Sequence, residues 1–286
     1  REELKKASHR CEVVLALVTP EWLESSWCKT EFNTAKLLNK NVIIVTFGMS
    51  GTDLPPDMLD DQLVDLKNDP LGYDRLKEGL SRVGLDPDSF PFCPDRLLYP
   101  GLVPLTEKDA AIFFGRHADV SHCLDKLRGL VFSGQEKLFL VLGASGTGKS
   151  SFLLAGLWPR LSRDDRNWLP LRTIRPAYGS ISGKLGIAAS LEEVLCKLRN
   201  QDVLRQYNLP KARGDIEAML ESNPNSLVQF LTAVSQAAKS ADLSPPTIVI
   251  LIDQGEELFE SEDRQSNLLL NQIHNLLKSE VQVIVI

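Results

Sequence analysis

The run Gly143, Ala144, Ser145, Gly146, Thr147, Gly148, Lys149, Ser150 has the residue types and spacing of a phosphate-binding loop. Its glycines let the backbone turn tightly enough to aim successive N–H groups at phosphate oxygens, and the helix that follows adds positive potential at its N-terminus. Lys149 is placed to reach β- and γ-phosphates, and Ser150 to put its hydroxyl on Mg²⁺. Such a loop predicts a second apolar strand ending in a carboxylate near the phosphates. The run from Ile248 to Ile252, closed by Asp253, supplies it. Glu256 and Glu257 follow three and four positions later and are candidates for orienting an attacking water. The bland alternative for both is a solvated helix start favoured by the helix dipole. A glycine turn with no ligand accounts for the glycines but not for Lys149 and Ser150. ATP with Mg²⁺ is the expected ligand, with other nucleoside triphosphates as the alternative.

These residues need a sheet to hold them. Lys137 to Leu142 is predicted as a buried strand running into the loop, with helix from Lys149 to Leu161. Leu171 to Arg175 is predicted as strand, Leu191 to Tyr207 and Ser226 to Ala241 as helices, and Thr247 to Ile252 as strand. Gln265 to Lys278 as helix and Val281 to Ile286 as strand complete the series. Helical stretches from Glu107 and from Ala118 to Val131 precede the loop. This alternation implies a parallel sheet with helices on both faces.

The front of the chain repeats the pattern on a smaller scale. Cys11 to Thr19 reads as a strand, Thr19 to Thr30 as a loop, Glu31 to Leu38 as a helix and Asn41 to Phe47 as a second strand, a β-α-β order that implies a parallel pair. Tyr73 to Val83 carries Leu76, Leu80 and Val83 at helical spacing. Prolines at 87, 91, 94, 100 and 104 forbid long helices and interrupt central strands, which places a linker there. The expected organisation is residues 1–92, a proline-rich linker over 93–104, and a second domain over 105–286. No repeat of solenoid period is present.

Motifs in register now carry a resemblance. FFGR at Phe113 to Arg116, GASGTGKSS at Gly143 to Ser151, AGLWPRL at Ala155 to Leu161 and LIDQGEELF at Leu251 to Phe259 resemble the STAND class of signalling NTPases, nearest its novel bacterial branch. The resemblance runs from about Tyr99 onward. It implies that nucleotide gates oligomerisation, that a C-terminal repeat region senses a trigger, and that an N-terminal effector acts. It adds Arg116 and Ser151 to the nucleotide-binding candidates, with Arg116 as a plain surface charge the alternative. Gly255 stands where the class usually has an aromatic, which is expected to loosen the turn after Asp253.

Ser25 to Glu31, after the strand and the residues Thr19 to Leu23, resembles the second half of a TIR domain. That resemblance covers about residues 1–92 and implies a partial flavodoxin-like parallel sheet in front of the P-loop sheet. In TIR domains that hydrolyse NAD⁺ a glutamate at the position of Glu31 is catalytic, stabilising oxocarbenium character as nicotinamide departs, as carboxylates do in glycoside cleavage. The alternatives are that Glu31 faces solvent while Trp27 and Cys28 pack the helix, or that the domain is an assembly scaffold. Both ends of the chain read as cut, and by this resemblance the first strand and the loop after the second strand, which help form the family's NAD⁺ pocket, are missing, so the segment by itself is expected to be inactive on NAD⁺.

Bulk properties set the remaining bounds. Over 286 residues, 43% hydrophobic and 24% charged side chains are ordinary for a globular chain of two domains. The net charge of −6 comes from interspersed signs with no basic stripe, so nucleic acid is not an expected partner. Five scattered cysteines show no paired spacing and fit a reducing cytoplasm. The apolar runs are strand-length, far short of the roughly twenty residues a membrane span needs. His9, His117, His122 and His274 lack ligand spacing. The combined reading is a cytoplasmic, ATP- and Mg²⁺-dependent signalling switch whose self-association, through both domains, brings NAD⁺-cleaving effector units together. The first rival is a non-enzymatic adaptor with nucleotide as an assembly ligand, and the second is a metabolic P-loop kinase.

Overall fold

The computed structural model describes residues 11–49, 51–59, 61–84, 90–92, 94, 101–198, 206–210, 212–239, 244–260 and 263–286. Their contacts divide the chain into two compact units, the first drawn from residues 1–98 and 108–132 and the second from 99–107 and 133–286. The division does not coincide with the expected boundary near residue 105, because the helix at 117–133 is counted almost wholly with the first unit. Each unit holds one three-stranded parallel sheet with helices, so the chain is α/β as expected.

In the first unit β1 (Val13–Val18), β2 (Asn41–Thr46) and β3 (Gln62–Asp65) lie in the order β1-β2-β3. Val13 pairs with Asn41 and Ile43 with Gln62, and both pairings are parallel. The crossover between β1 and β2 is more helical than expected. Thr19 caps a short helix α1 (Pro20–Glu24), its Oγ1 accepting the Trp22 N–H at 3.2 Å, with proline at the first helical position where no N–H is needed. Ser25 then caps α2 (Ser26–Leu37) by accepting the Cys28 N–H at 3.3 Å. The helix therefore starts five residues before the expected Glu31. The Trp22 and Phe32 rings meet edge to face at 6.0 Å and join Ala16, Val18 and Ile44 in a small core. β2 is buried along nearly its whole length, whereas Leu15 and Leu17 on β1 are exposed, so the continuous apolar run at the front forms an edge strand with one open face. The third strand, β3, was not separable in sequence from the polar segments around it. α3 (Gly72–Val83) packs Leu76 and Leu80 against Ile43, Val45 and Val64, as their spacing predicts.

α4 (His117–Ser133) also belongs here, apart from its final residue. Its Asp125 takes the ammonium of Lys40 at 2.5 Å and the guanidinium of Arg128 at 3.0 Å, so the nearly buried Lys40 is paired. Burial pushes the Cys123 thiol up to about 12, a rise only partly offset by Lys126. Alkylation of the native protein at pH 8 should modify the exposed Cys196 and spare Cys123 until the chain unfolds, since the thiolate is the nucleophile. Peptide mass mapping of the alkylated cysteines reads this out, and equal rates at the two positions would show that α4 is not packed as described.

The second unit is built on β4 (Trp168–Pro170), β5 (Thr247–Ile250) and β6 (Val283–Val285) in the order β4-β5-β6. β5 and β6 are buried throughout, as their unbroken β-branched runs predict. The phosphate-loop segment opens a helical run α5 over 149–163, in which Phe152–Leu157 is wound as π-helix between α-helical ends. Around the sheet stand α6 (Ile187–Lys197), α7 (Arg213–Ser222), α8 (Ser226–Ala238), α9 (Glu257–Glu260) and α10 (Arg264–Lys278). Phe230, Leu191, Ile216, Leu269 and Leu276 are fully buried in the core they share with β5 and β6. Both helices end sooner than expected, just short of residues outside those described: α6 stops at Lys197, where Leu198 turns extended, instead of running from Leu191 to Tyr207, and α8 stops at Ala238, where Lys239 turns extended, instead of reaching Ala241.

The strand expected at Leu171 to Arg175 is displaced toward its N-terminal side. Regular pairing occupies Trp168–Pro170, and afterwards the chain keeps contact with β5 only at intervals, the Leu171 N–H donating to Val249 O and the Ile174 N–H to Leu251 O, both at 2.8 Å. Asn167 O and the Leu171 N–H both face β5, so Pro170 lies on the alternate side and its missing N–H costs that ladder no bond. A larger correction concerns Lys137 to Leu142. It is not a buried strand: a single bridge joins Leu138 to Val285, and Leu138, Leu140 and Leu142, which share one face, are exposed. Among the described residues no helix is long and apolar enough to cross a membrane.

Candidate functional site

The carboxyl ends of parallel strands are where ligands bind in open α/β sheets, and in the second unit two loops leave the sheet at that end. One follows Leu138 at the sheet edge, where the Phe139 N–H donates to Val285 O at 2.8 Å and the chain then peels away into Gly143 to Gly148. Gly146 and Gly148 have φ of 79° and 81°, a region costly for any residue with a Cβ, and Gly148 is the N-cap of α5. A Cβ on Gly143 would stand 2.9 Å from Thr147 Oγ1, and that hydroxyl instead donates to Ala144 O at 2.8 Å. Ala144, Ser145, Gly146 and Thr147 are exposed, and the turn is closed by the Thr147 N–H donating to Ala144 O at 3.4 Å.

Lys149 folds its ammonium back over this loop, donating to Gly143 O at 2.8 Å and Ala144 O at 3.1 Å. Those carbonyls are neutral partners, weaker than a phosphate for the same cation. One residue on, Ser150 Oγ donates to Asp253 Oδ1 at 2.8 Å, across 103 positions of sequence. Asp253 is only 3% exposed, and its backbone N–H donates to Ile174 O at 2.9 Å, which fixes it to the end of the β4 extension. A buried carboxylate touching a phosphate-loop hydroxyl is a donor set of hard oxygens, which suits Mg²⁺. The residues present therefore fit the metal and the nucleotide that the loop implies. Ser151 sits apart from that pair: its hydroxyl accepts the Leu105 N–H at 3.0 Å.

Beyond Asp253 the chain turns through one left-handed residue. The left-handed residue is Gln254, with φ of 59°, whereas a Cβ on Gly255 would meet only Ile252 Cγ2 at 3.8 Å. The conformational strain of the turn thus falls on Gln254. Glu257 Oε2 accepts the Ala177 N–H at 2.9 Å, which ties α9 to the 3₁₀ turn Pro176–Tyr178, while Glu256 is exposed. Of the two carboxylates considered for water orientation, Glu256 is the one open to solvent.

A cavity of about 380 Å³ borders Asp253, walled by Trp158 of α5, by Arg172, Thr173 and Arg175 after β4, and by Glu193 of α6. Arg175 was not singled out by any motif; a lone arginine closing an apolar stretch carries no pattern of its own. Its NH1 lies 3.8 Å from Asp253 Oδ2 and its NH2 donates to Gln254 Oε1.

The other two candidates belong to the first unit. Arg116 precedes α4 and pairs with Asp119 at 2.8 Å on the surface. Glu31 is exposed in the second turn of α2 rather than at its start. Among the described residues no group of three or more His, Cys, Asp or Glu side chains could by itself hold a metal ion, which leaves the pair of Ser150 and Asp253 dependent on phosphate and water for the rest of a Mg²⁺ shell.

The family described as Novel STAND NTPase 1 matches the chain over residues 99–286, more than half of its length. No curated protein and no solved structure matches it.

Proposed function

The chain belongs to the Novel STAND NTPase 1 family, and from that membership, together with the resemblance at Ser25 to Glu31, we propose that it is an ATP- and Mg²⁺-dependent signalling switch whose nucleotide state governs self-assembly of a TIR effector that cleaves NAD⁺. The observation that carries the nucleotide half is the 2.8 Å bond from Ser150 to Asp253 beside a left-handed glycine loop, because it joins a phosphate-loop hydroxyl to the acidic strand end in one place.

In this reading the N–H groups of Gly143 to Ser151 cradle phosphate oxygens, and Lys149 exchanges the carbonyls of Gly143 and Ala144 for the β- and γ-phosphates. Ser150 and Asp253 hold Mg²⁺, which when bound neutralises charge on the transferring phosphoryl group. Glu256, and secondarily Glu257, orient the attacking water, and Arg116 contributes to nucleotide binding. Nucleotide-driven assembly concentrates the units formed by residues 1–92, joined through the linker 93–104 to the NTPase domain at 105–286. Glu31 then stabilises the oxocarbenium-like transition state of NAD⁺ cleavage. Depletion of NAD⁺ on a trigger, in a bacterial cytoplasm, suits immunity or programmed death.

A second reading, a scaffold without NAD⁺ chemistry, is favoured by the exposed Leu15 and Leu17 on one face of β1, an apolar face that suits packing between copies. NAD⁺ consumption and particle size, followed together in the full-length protein with ATP and candidate triggers, separate the two. The expected result is NAD⁺ loss that needs ATP, disappears in Glu31→Ala and leaves that variant able to assemble. Assembly with NAD⁺ untouched in the wild type would sink the enzymatic reading and leave the scaffold.

A further inference from the structure

Resting on the proposed Mg²⁺–nucleotide site, we infer that Arg175 is the residue by which that site tells a nucleoside triphosphate from a diphosphate. The backbone puts it there. Ile174 bridges to Ile252, the residue before Asp253, and the Asp253 N–H returns to Ile174 O, so Arg175 and Asp253 emerge side by side from neighbouring parallel strands. Ser150 occupies one oxygen of the Asp253 carboxylate at 2.8 Å, and Arg175 faces the other at 3.8 Å. A single carboxylate therefore separates the guanidinium from the hydroxyl proposed to bind the metal.

The guanidinium is under-bonded. NH2 donates to Gln254 Oε1, NH1 stands beyond hydrogen-bond length from Asp253, and the buried Nε has no acceptor among the described residues. An arginine fork with unused donors beside a cavity is suited to phosphate oxygens, which it can take in pairs. In the structure as it stands, Asp253 is the anionic partner of Arg175. A divalent cation on Asp253 draws the same carboxylate away from Arg175, and the added negative charge of a terminal phosphate replaces it. A diphosphate has no such group to offer.

Arg175 is also built into a neck. Its N–H donates to Leu185 O at 2.9 Å, closing the loop 176–184, and its guanidinium lies over the Tyr178 ring at 5.6 Å. That loop is clamped onto α9 and α10 by Glu257 on Ala177 and by Gln265 on Ile181 and Ser182. The position is thus fixed by main-chain bonds that survive changes at the side chain.

The test titrates the whole chain with a fluorescent non-hydrolysable ATP analogue and with fluorescent ADP, both with Mg²⁺, in wild type, Arg175→Gln, Arg175→Lys and Lys149→Ala. Removing one charge-assisted phosphate contact is expected to weaken the triphosphate about tenfold in Arg175→Gln while the diphosphate changes by less than about twofold, with Arg175→Lys between wild type and Gln. Lys149→Ala should lose both ligands. Equal loss of the two nucleotides in Arg175→Gln, as from a merely structural arginine, overturns the inference, as does no loss at all. A wild-type chain that binds neither nucleotide overturns the nucleotide-site reading itself, and the inference with it.

Discussion

Lys149→Ala is expected to melt with the wild type in the absence of nucleotide and to gain nothing when ATP and Mg²⁺ are added. Without ligand, Lys149 makes two hydrogen bonds to carbonyls of a solvent-facing loop, and losing surface bonds of that kind changes stability by about 0.5 kcal/mol or less. With ligand at a hundredfold excess over its dissociation constant, a binding-competent protein gains about 2.7 kcal/mol. For a unit of this size that raises the midpoint by about 5 to 10 °C. The alanine variant forfeits the gain because its phosphates meet backbone dipoles alone, without a cation for the β- and γ-oxygens. Thermal melts of the two proteins with and without Mg²⁺–ATP decide it. An equal upward shift in both would place the nucleotide somewhere other than the loop at Gly143 to Ser150.

The second large effect is expected far from that loop, at Gln272 on α10. Its side chain is wholly buried, yet it is polar. The two N–H groups of Nε2 are shared among Leu220 O and Asn223 O at 2.8 Å and Ser226 Oγ at 2.9 Å, and Oε1 accepts the Leu227 N–H at 3.1 Å. Those partners are the groups that helix ends leave without intrahelical bonds: a carbonyl from the last turn of α7 and the one just beyond it, and an amide in the first turn of α8. The residue before α8, Asn225, makes no side-chain cap, so Gln272 stands in for it from another helix. Gln272→Ala strands Leu220 O and the Leu227 N–H at about 1 to 3 kcal/mol each, while Asn223 O and Ser226 Oγ keep their bond to each other, and it opens a cavity, for a loss of about 3 to 5 kcal/mol. Gln272→Leu keeps most of the volume but strands the same groups. It should lose nearly as much in a urea melt if hydrogen bonding dominates, and under about 1 kcal/mol if packing does.

Gly143 to Ser150 were readable without a fold because the chemistry itself is local: the turn needs glycines at fixed offsets and the cation and hydroxyl directly after them. The helix start at Thr19 and Pro20 is just as local in its chemistry, a capping hydroxyl followed by a ring that needs no N–H, yet the segment reads as a loop because only five residues of helix follow before Ser25 caps the next one. Lys137 to Leu142 shows where that reading ends. Its apolar run is real, but whether an apolar residue is buried depends on what lies over it, and here three leucines on one face have no cover within the second unit. Gln254 shows it again, since nothing in its neighbours marks it as the left-handed residue of the turn after Asp253.

By itself, then, the sequence determined the element types and the local turns: an α/β chain with parallel strands, a glycine loop leading into a helix, and an aspartate ending an apolar strand. Only the tertiary structure decided the pairings between distant residues. It brought Ser150 to Asp253, set the unmarked Arg175 beside that carboxylate, spent Glu257 on Ala177 and made Gln272 the cap of a helix it does not belong to. The physical reason is range. Propensities, caps and turns act over a few neighbouring residues, whereas a hydrogen bond or ion pair between strands depends on register and packing, which no short window of sequence contains.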